Sequence, residues 1–321
     1  MEDRVYGIFD GGKEGPKLAD LCRGLLDEQK TSWPQLSEAY EALGSAKTRL
    51  LACNGFSVRL LHNPGRLTST DAKVDAADIS RRPCFLCADR LPHPQKSILY
   101  RHEYLILSNP MPVMSGHLTI PHISHRPQTI IANTQTFLAL AADLGKEWII
   151  LYNGPRCGAS APDHLHFQAI PAGQTPIEHE IGEKRRLVPY GGYQNGISCY
   201  RVENLGREVI LFEGEEPLSL ARALSRHIEV LGQIPRPPAD EEPMVNVLCR
   251  FQEGKYTVLV FPRSKHRPSV FFRDGDDRIV VSPAVVEMAG IVVTPFQRDF
   301  DRLDCATIES IYREVTLGLT L

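Results

Sequence analysis

The chain has 321 residues, which at about 150 residues per domain makes two domains or one large one. Hydrophobic residues are 42% and charged residues 23%, which excludes a disordered or fibrous chain and leaves enough apolar surface for a sizeable core. Lys and Arg number 36 against 39 Asp and Glu, a net charge of -3, so nothing draws the whole molecule to nucleic acid, although a local basic patch could hold phosphates.

The start, MEDRVYGIFDGGKEGPK, is charged and Gly-rich and has no secretory apolar run. Leu18, Leu21, Cys22, Leu25 and Leu26 repeat at helical spacing, and a second helix begins near Ser32, with Pro34 in its first turn, and ends at Gly44. Phe56 to Leu61 is extended, and Asn63-Pro64-Gly65 makes a turn. Tyr104 to Leu107 and His117 to Ile120 are strands around the Pro110–Gly116 loop. Thr134 to Leu144 is a helix and Trp148 to Tyr152 a strand. His164 to Ile170 alternates as a strand does, with His164, His166 and Gln168 on one face.

Gly, Pro and charged residues dominate from Pro171 to Gly192, which places a boundary near 190 and gives two domains, 1–190 and 191–321. Beyond it, Leu218 to Leu231 is helical and the run from Ile234 to Asp240 is a loop. Val245 to Phe251 and Tyr256 to Phe261 make a hairpin around Glu253-Gly254. Ser282, Pro283, Glu287 and Pro295 break the apolar run Ile279 to Phe296, so it is no membrane span. Strands and helices without regular βαβ alternation give an α+β class with antiparallel sheets flanked by helices. The expected location is cytoplasmic, with reduced thiols, no membrane partner and no nucleic acid; the chain is a monomer or a homodimer.

The chemistry-bearing residues concentrate in Tyr152-Asn153-Gly154-Pro155-Arg156-Cys157-Gly158-Ala159-Ser160-Ala161-Pro162-Asp163-His164-Leu165-His166-Phe167-Gln168. A loop of small residues exposes backbone N–H groups to phosphate oxygens, and a neutral imidazole can attack phosphorus. The bland alternative is a strand with two half-buried, hydrogen-bonded histidines. A second group, Arg82-Pro83-Cys84-Phe85-Leu86-Cys87, can aim two thiolates at one metal ion. A redox pair or plain turn cysteines are the alternatives. The other cysteines, Cys22, Cys53, Cys157, Cys199, Cys249 and Cys305, show no evident pairing. Arg263, Lys265 and Arg267 form a local basic cluster suited to phosphate, or a solvated turn. Lys73 lies on a charged, solvated run.

The Asn153 to Gln168 run resembles the active-site motif of the histidine-triad superfamily in its transferase and phosphorylase branch, Gly-x-Ser-x-x-His-x-His-x-Gln with an upstream Asn. That branch includes galactose-1-phosphate uridylyltransferase, diadenosine tetraphosphate phosphorylase and GDP-L-galactose phosphorylase. Ser160 stands four residues before His164, one more than is usual there. The resemblance implies two histidine-triad-like halves, the first carrying the nucleophile and the second, degenerate one completing the pocket. By the same resemblance His166 carries a nucleoside monophosphate and Gln168 contacts the transferred phosphoryl group. Asn153, Gly158 and Ser160 hold phosphates. Asn63-Pro64-Gly65-Arg66 is similar to the Asn-Pro and Arg-containing strand through which these families contact nucleotide, which implies nucleotide contacts for Asn63 and Arg66, or it is a surface turn.

Ser115-Gly116-His117-Leu118-Thr119 is similar to the uridylyltransferase strand that supplies a zinc ligand, which implies a closed structural Zn2+ site of Cys84, Cys87, His117 and His164. The phosphorylases generally lack the Cys pair, so the chain combines features of both. His122 and His125 are possible substitutes as ligands, or loop residues near the substrate. Ser282-Pro283-Ala284-Val285-Val286-Glu287 resembles a GDP-hexose phosphorylase stretch. The implied activity is nucleotidyl transfer from a nucleoside diphosphate-sugar to phosphate, GDP-hexose phosphorylase-like first. A uridylyltransferase or dinucleoside polyphosphate phosphorylase comes next. The alternatives of another kind are a nucleotide-binding protein without turnover and a zinc-stabilised interaction protein.

Overall fold

Residues 149 and 151 of one strand face a different core from residues 148, 150 and 152, and this two-sided burial organises the molecule. The computed structural model describes residues 4–12, 15–67, 76–183, 186–192, 195–233 and 242–318; Lys73 and the 234–240 loop lie outside them. The N-terminal elements are β1 (Val5–Phe9), α1 (Leu18–Ser32), α2 (Pro34–Gly44), β2 (Lys47–Ala52) and β3 (Ser57–His62). Then come α3 (Ala76–Arg81), β4 (Ser97–Tyr100), β5 (Tyr104–Ser108), β6 (Leu118–Pro121), α4 (Thr134–Leu144), β7 (Trp148–Asn153) and β8 (His166–Pro171). A short α5 (Pro176–Glu180) leads to β9 (Leu187–Pro189), β10 (Ser198–Val202), β11 (Ile210–Gly214), α6 (Pro217–Gly232), β12 (Val245–Gln252) and β13 (Lys255–Pro262). The chain closes with α7 (Val285–Met288), β14 (Ile291–Thr294), α8 (Gln297–Arg302) and α9 (Cys305–Val315).

One sheet runs in the order β1-β4-β5-β6-β8-β7-β12-β13-β11-β10-β9. Within it β4 to β8 and β9 to β13 repeat one topology: three strands, a helix, then two strands whose order is exchanged. The halves meet where β7 pairs antiparallel with β12, from Asn153 opposite Asn246 to Ile149 opposite Arg250. The class is α+β with two topologically repeated halves, in line with the sequence expectation. Their strands fuse into one sheet, and only its β1·β4 edge is parallel.

The fusion explains the apolar wording of the central strands. All six residues of β7 are buried. Trp148, Ile150 and Tyr152 pack under α1, α4 and α6, with Phe137, Leu140, Leu224 and Ile228. Ile149 and Leu151 pack with Val285, Met288, Ile311 and Tyr312 on the other side, where β14, β3 and β2 form a second, smaller sheet. Apolar side chains needed on both faces erase the alternation of a half-exposed strand. Among the described residues no helix is long and apolar enough to cross a membrane.

Cys53, just after β2, and Cys305, the first residue of α9, form a disulfide across 252 positions of sequence. The pairing departs from the expected reduced thiols, and nothing in the spacing of the two residues reveals it. Closing so long a loop restricts the unfolded chain, and such a bond contributes about 2–5 kcal/mol. Urea unfolding with and without reductant checks it. The midpoint should fall on reduction, and identical midpoints would show that the bond contributes nothing.

Candidate functional site

His166 opens β8, beside the end of β7, and is 4% exposed. Its Nδ1 lies 2.8 Å from the carbonyl oxygen of His164. A carbonyl only accepts, so Nδ1 carries the proton and Nε2 keeps the lone pair. Burial pushes the imidazole pKa down to about 4, so the ring is neutral at physiological pH. A neutral imidazole with one nitrogen tied to the backbone is the form that can attack an electrophile.

His166 lines a cleft of about 410 Å³, a size suited to a small organic ligand. Gln168, Asn153, Gly158 and Ser160 line it too. Gly158 has φ +108, and a Cβ there would stand 2.5 Å from that of Ala284, so the loop requires glycine. Arg66, Arg82 and Arg90 bring positive charge to the wall, and Phe85, Leu86, Leu91 and Met111 bring apolar surface. Nothing in the sequence around Arg82 and Arg90 marks either one as a cleft residue.

Gln168 is oriented by His117. The Val113 N–H donates to His117 Nδ1 at 3.3 Å, so His117 donates through Nε2 to Gln168 Oε1 at 3.1 Å. The amide nitrogen of Gln168 is thereby left as the donor for an anionic ligand. This corrects the ligand set implied by the resemblance: His117 belongs to the cleft and not to the thiols.

His125 takes that place. Ligand atoms of Cys84, Cys87, His125 and His164 all lie within 4.8 Å of one another. His164 Nδ1 is 3.3 Å from Cys84 Sγ and 3.6 Å from Cys87 Sγ, and His125 Nδ1 is 3.4 Å from Cys87 Sγ. A tetrahedral ion with bonds of about 2.3 Å to sulfur and 2.0 Å to nitrogen needs sulfur–nitrogen edges of about 3.5 Å, so these residues fit one metal ion. The outer nitrogens are anchored as ligating histidines require: His164 Nε2 donates to His122 O at 2.8 Å, and His125 Nε2 faces Asp163 Oδ2 at 3.5 Å. Two thiols and two imidazoles would fill the coordination sphere and give a structural centre. His164 precedes β8 and turns toward the thiols, so it does not share the cleft face of His166 and Gln168.

Three residues expected to bind nucleotide or phosphate have other work. Asn63 Oδ1 accepts from Gly65 N at 3.1 Å and fixes the turn that presents Arg66. Arg263 is 1% exposed and donates to Asn246 Oδ1 and to the carbonyls of Val315, Pro283, Lys265 and His266. It ties the second half together from within. Lys265 pairs with Glu314 at 2.8 Å, away from the cleft. A guanidinium that organises carbonyls and one that binds phosphate look alike in sequence, because both are arginine after a strand.

The second half reaches the cleft through α7. Asn153 Oδ1 accepts from Val285 N and from Asn246 Nδ2, both at 2.8 Å, which docks α7 against the end of β7. Glu287 follows and lines the cleft, and burial raises its pKa to about 7, with Arg66 pulling it back. Below that pH the carboxyl is neutral, and above it a negative charge faces any anionic ligand. The affinity of the cleft for an anion such as inorganic sulfate should therefore fall about tenfold from pH 6 to pH 8, one unit's worth of interaction. Titration calorimetry checks it. Glu287→Gln should flatten the profile, and an unchanged slope in that variant would assign the effect elsewhere.

The family model described as "Domain of unknown function (DUF4922)" matches residues 25–171, a stretch that contains both the thiol pair and His166. No curated protein matches the chain in sequence. Among solved structures the fold is similar to yeast Ap4A phosphorylase Apa2, with a TM-score of 0.62 and 13% identity over 95% of this chain and 97% of that one. The complexes of that protein with AMP and with Ap4A both give a TM-score of 0.59, at 14% and 12% identity. They cover 93% and 94% of this chain and 98% of the other. The chain thus has a fold similar to that of yeast Ap4A phosphorylase Apa2 along nearly its whole length.

Proposed function

We propose that the protein is a nucleotidyltransferase that works by double displacement on a phosphoanhydride, with a nucleoside diphosphate-sugar as donor and phosphate as acceptor. One observation carries this: His166 is tied through Nδ1–H to the backbone, keeps its Nε2 lone pair, and is set in a cationic cleft beside the amide of Gln168. In the first step Nε2 bonds to the α-phosphorus, and the bond from that phosphorus to the bridging oxygen breaks. The bridging oxygen leaves with the electron pair as part of the sugar phosphate. In the second step an oxygen of inorganic phosphate attacks the same phosphorus, the phosphorus–nitrogen bond breaks, and the imidazole is restored. Gln168, Ser160 and the backbone around Gly158 would stabilise the equatorial oxygens, and Arg66 the charge of the diphosphate.

On this reading residues 1–190 carry the nucleophile and residues 191–321 complete the pocket through Glu287. The metal held by Cys84, Cys87, His125 and His164 is Zn2+, a choice supported by the two-sulfur, two-nitrogen donor set. The wording His164-Leu165-His166-Phe167-Gln168 favours a GDP-hexose as donor. A dinucleoside polyphosphate is the second candidate, supported by the Ap4A complex of the protein with the similar fold. Product analysis separates them. Phosphate-dependent release of sugar 1-phosphate from a GDP-hexose supports the first, and phosphate-dependent cleavage of diadenosine tetraphosphate supports the second. Turnover of neither, with or without a sugar phosphate acceptor, would overturn the proposal.

A further inference from the structure

β7 and β8 part company where the nucleophile stands. Their ladder runs from Trp148 opposite Pro171 to Leu151 opposite Gln168, and the same register continued sets Asn153 opposite His166. Directly paired backbones would exchange hydrogen bonds there. Instead the side-chain amide of Gln128 lies between them. Its Oε1 accepts from His166 N at 2.7 Å, and its Nε2 donates to Asn153 O at 2.9 Å and to His166 O at 3.0 Å. A primary amide offers the donor and acceptor of a peptide group, so it satisfies both strands while holding them a side chain apart.

The segment that carries Gln128 is itself pinned along β8. His122 N donates to Leu165 O at 2.9 Å, and Leu165 N donates to Arg126 O at 2.7 Å. Gln128 is 3% exposed and does not line the cleft, whereas Asn153 and His166 both do. It touches the machinery only through the backbone.

We propose that Gln128 is a positioning residue: it wedges β7 from β8 and so sets the His166 imidazole against the phosphate loop that begins at Asn153. The inference rests on His166 being the nucleophile. Its effect falls on the rate of phosphorus–nitrogen bond formation and not on nucleotide affinity, because misplacing a reacting atom by about 1 Å costs on the order of 10²-fold in rate.

Three variants test it. Gln128→Met keeps the length without polar atoms, Gln128→Glu keeps the acceptor but turns an oxygen toward two carbonyls, and Gln128→Asn keeps the amide one methylene short. Single-turnover formation of the nucleotidyl-enzyme from GDP-hexose or diadenosine tetraphosphate should slow about 10²-fold in the first two and less in Gln128→Asn. The Kd for GMP or AMP should stay within about threefold, as expected for a group outside the binding surface. Either of the first two variants, folded and matching the wild-type rate within about threefold, overturns the proposal. Crystal structures of the variants supply a readout independent of activity, in which Asn153 O and His166 N should close into a direct bond and move the imidazole. Should wild-type protein form no adduct from either donor, the donor assignment of the proposed function fails and the structures alone decide whether Gln128 sets the place of His166. An unmoved ring then overturns the wedge.

Discussion

His166→Ala should lose nucleotidyl transfer by a factor of about 10⁴ or more while remaining folded and able to bind nucleotide. A 10⁴-fold loss is about 5.5 kcal/mol of transition-state stabilisation, far more than any wall residue would supply alone. The fold should survive because the bonds that hold β8 at this point are made by the backbone: His166 N to Gln128 and His166 O from Gln128. The imidazole itself adds one hydrogen bond, to His164 O two residues away. Steady-state assays with thermal unfolding check both halves of the expectation. A folded variant that keeps more than about a tenth of wild-type kcat would remove His166 from the chemistry.

On the proposed metal centre, removing the ion should have the next largest effect, and on stability first. The four ligands bring the 84–87 turn, the loop after β6 and the segment leading into β8 to one point. Loss of a closed metal centre costs several kcal/mol, or about 5–10 °C in Tm for a chain of this size. The segment around the thiols also supplies Arg82, Phe85, Leu86 and Arg90 to the cleft wall, so nucleotide affinity should fall with it. Metal analysis separates the two ligand sets. His125→Ala should lose the ion, and His117→Ala should keep about one equivalent, as a closed four-ligand site requires. The reverse result would restore His117 to the metal and take it from Gln168.

Much of this arrangement was legible because its parts are local. His166, Gln168 and the small-residue loop sit within one run of sequence, and the thiol pair is four residues long. The helices Thr134–Leu144 and Pro217–Gly232 carry clean amphipathic spacing and fall within a residue or so of where the sequence sets them. What escaped depends on partners remote in the chain. The choice between His117 and His125 turns on which side of β6 meets the thiols, and both are histidines near a strand end. Gln128 has no motif, since its role arises from two carbonyls and an amide that only the folded sheet brings together. Cys53 and Cys305 lie far apart in the chain, joined through the small sheet's contact with α9. Arg263 misled for a related reason: a basic cluster reads as surface, and the sequence does not show that the strand ends inside the core.

Peptide mapping of the quenched reaction bears most directly on the nucleophile. Wild-type protein is mixed with a GDP-hexose or diadenosine tetraphosphate without acceptor, digested, and read by mass. A nucleoside monophosphate on His166, discharged when phosphate is added, is the predicted result. A modification on another residue, or turnover with His166 never modified, would contradict it.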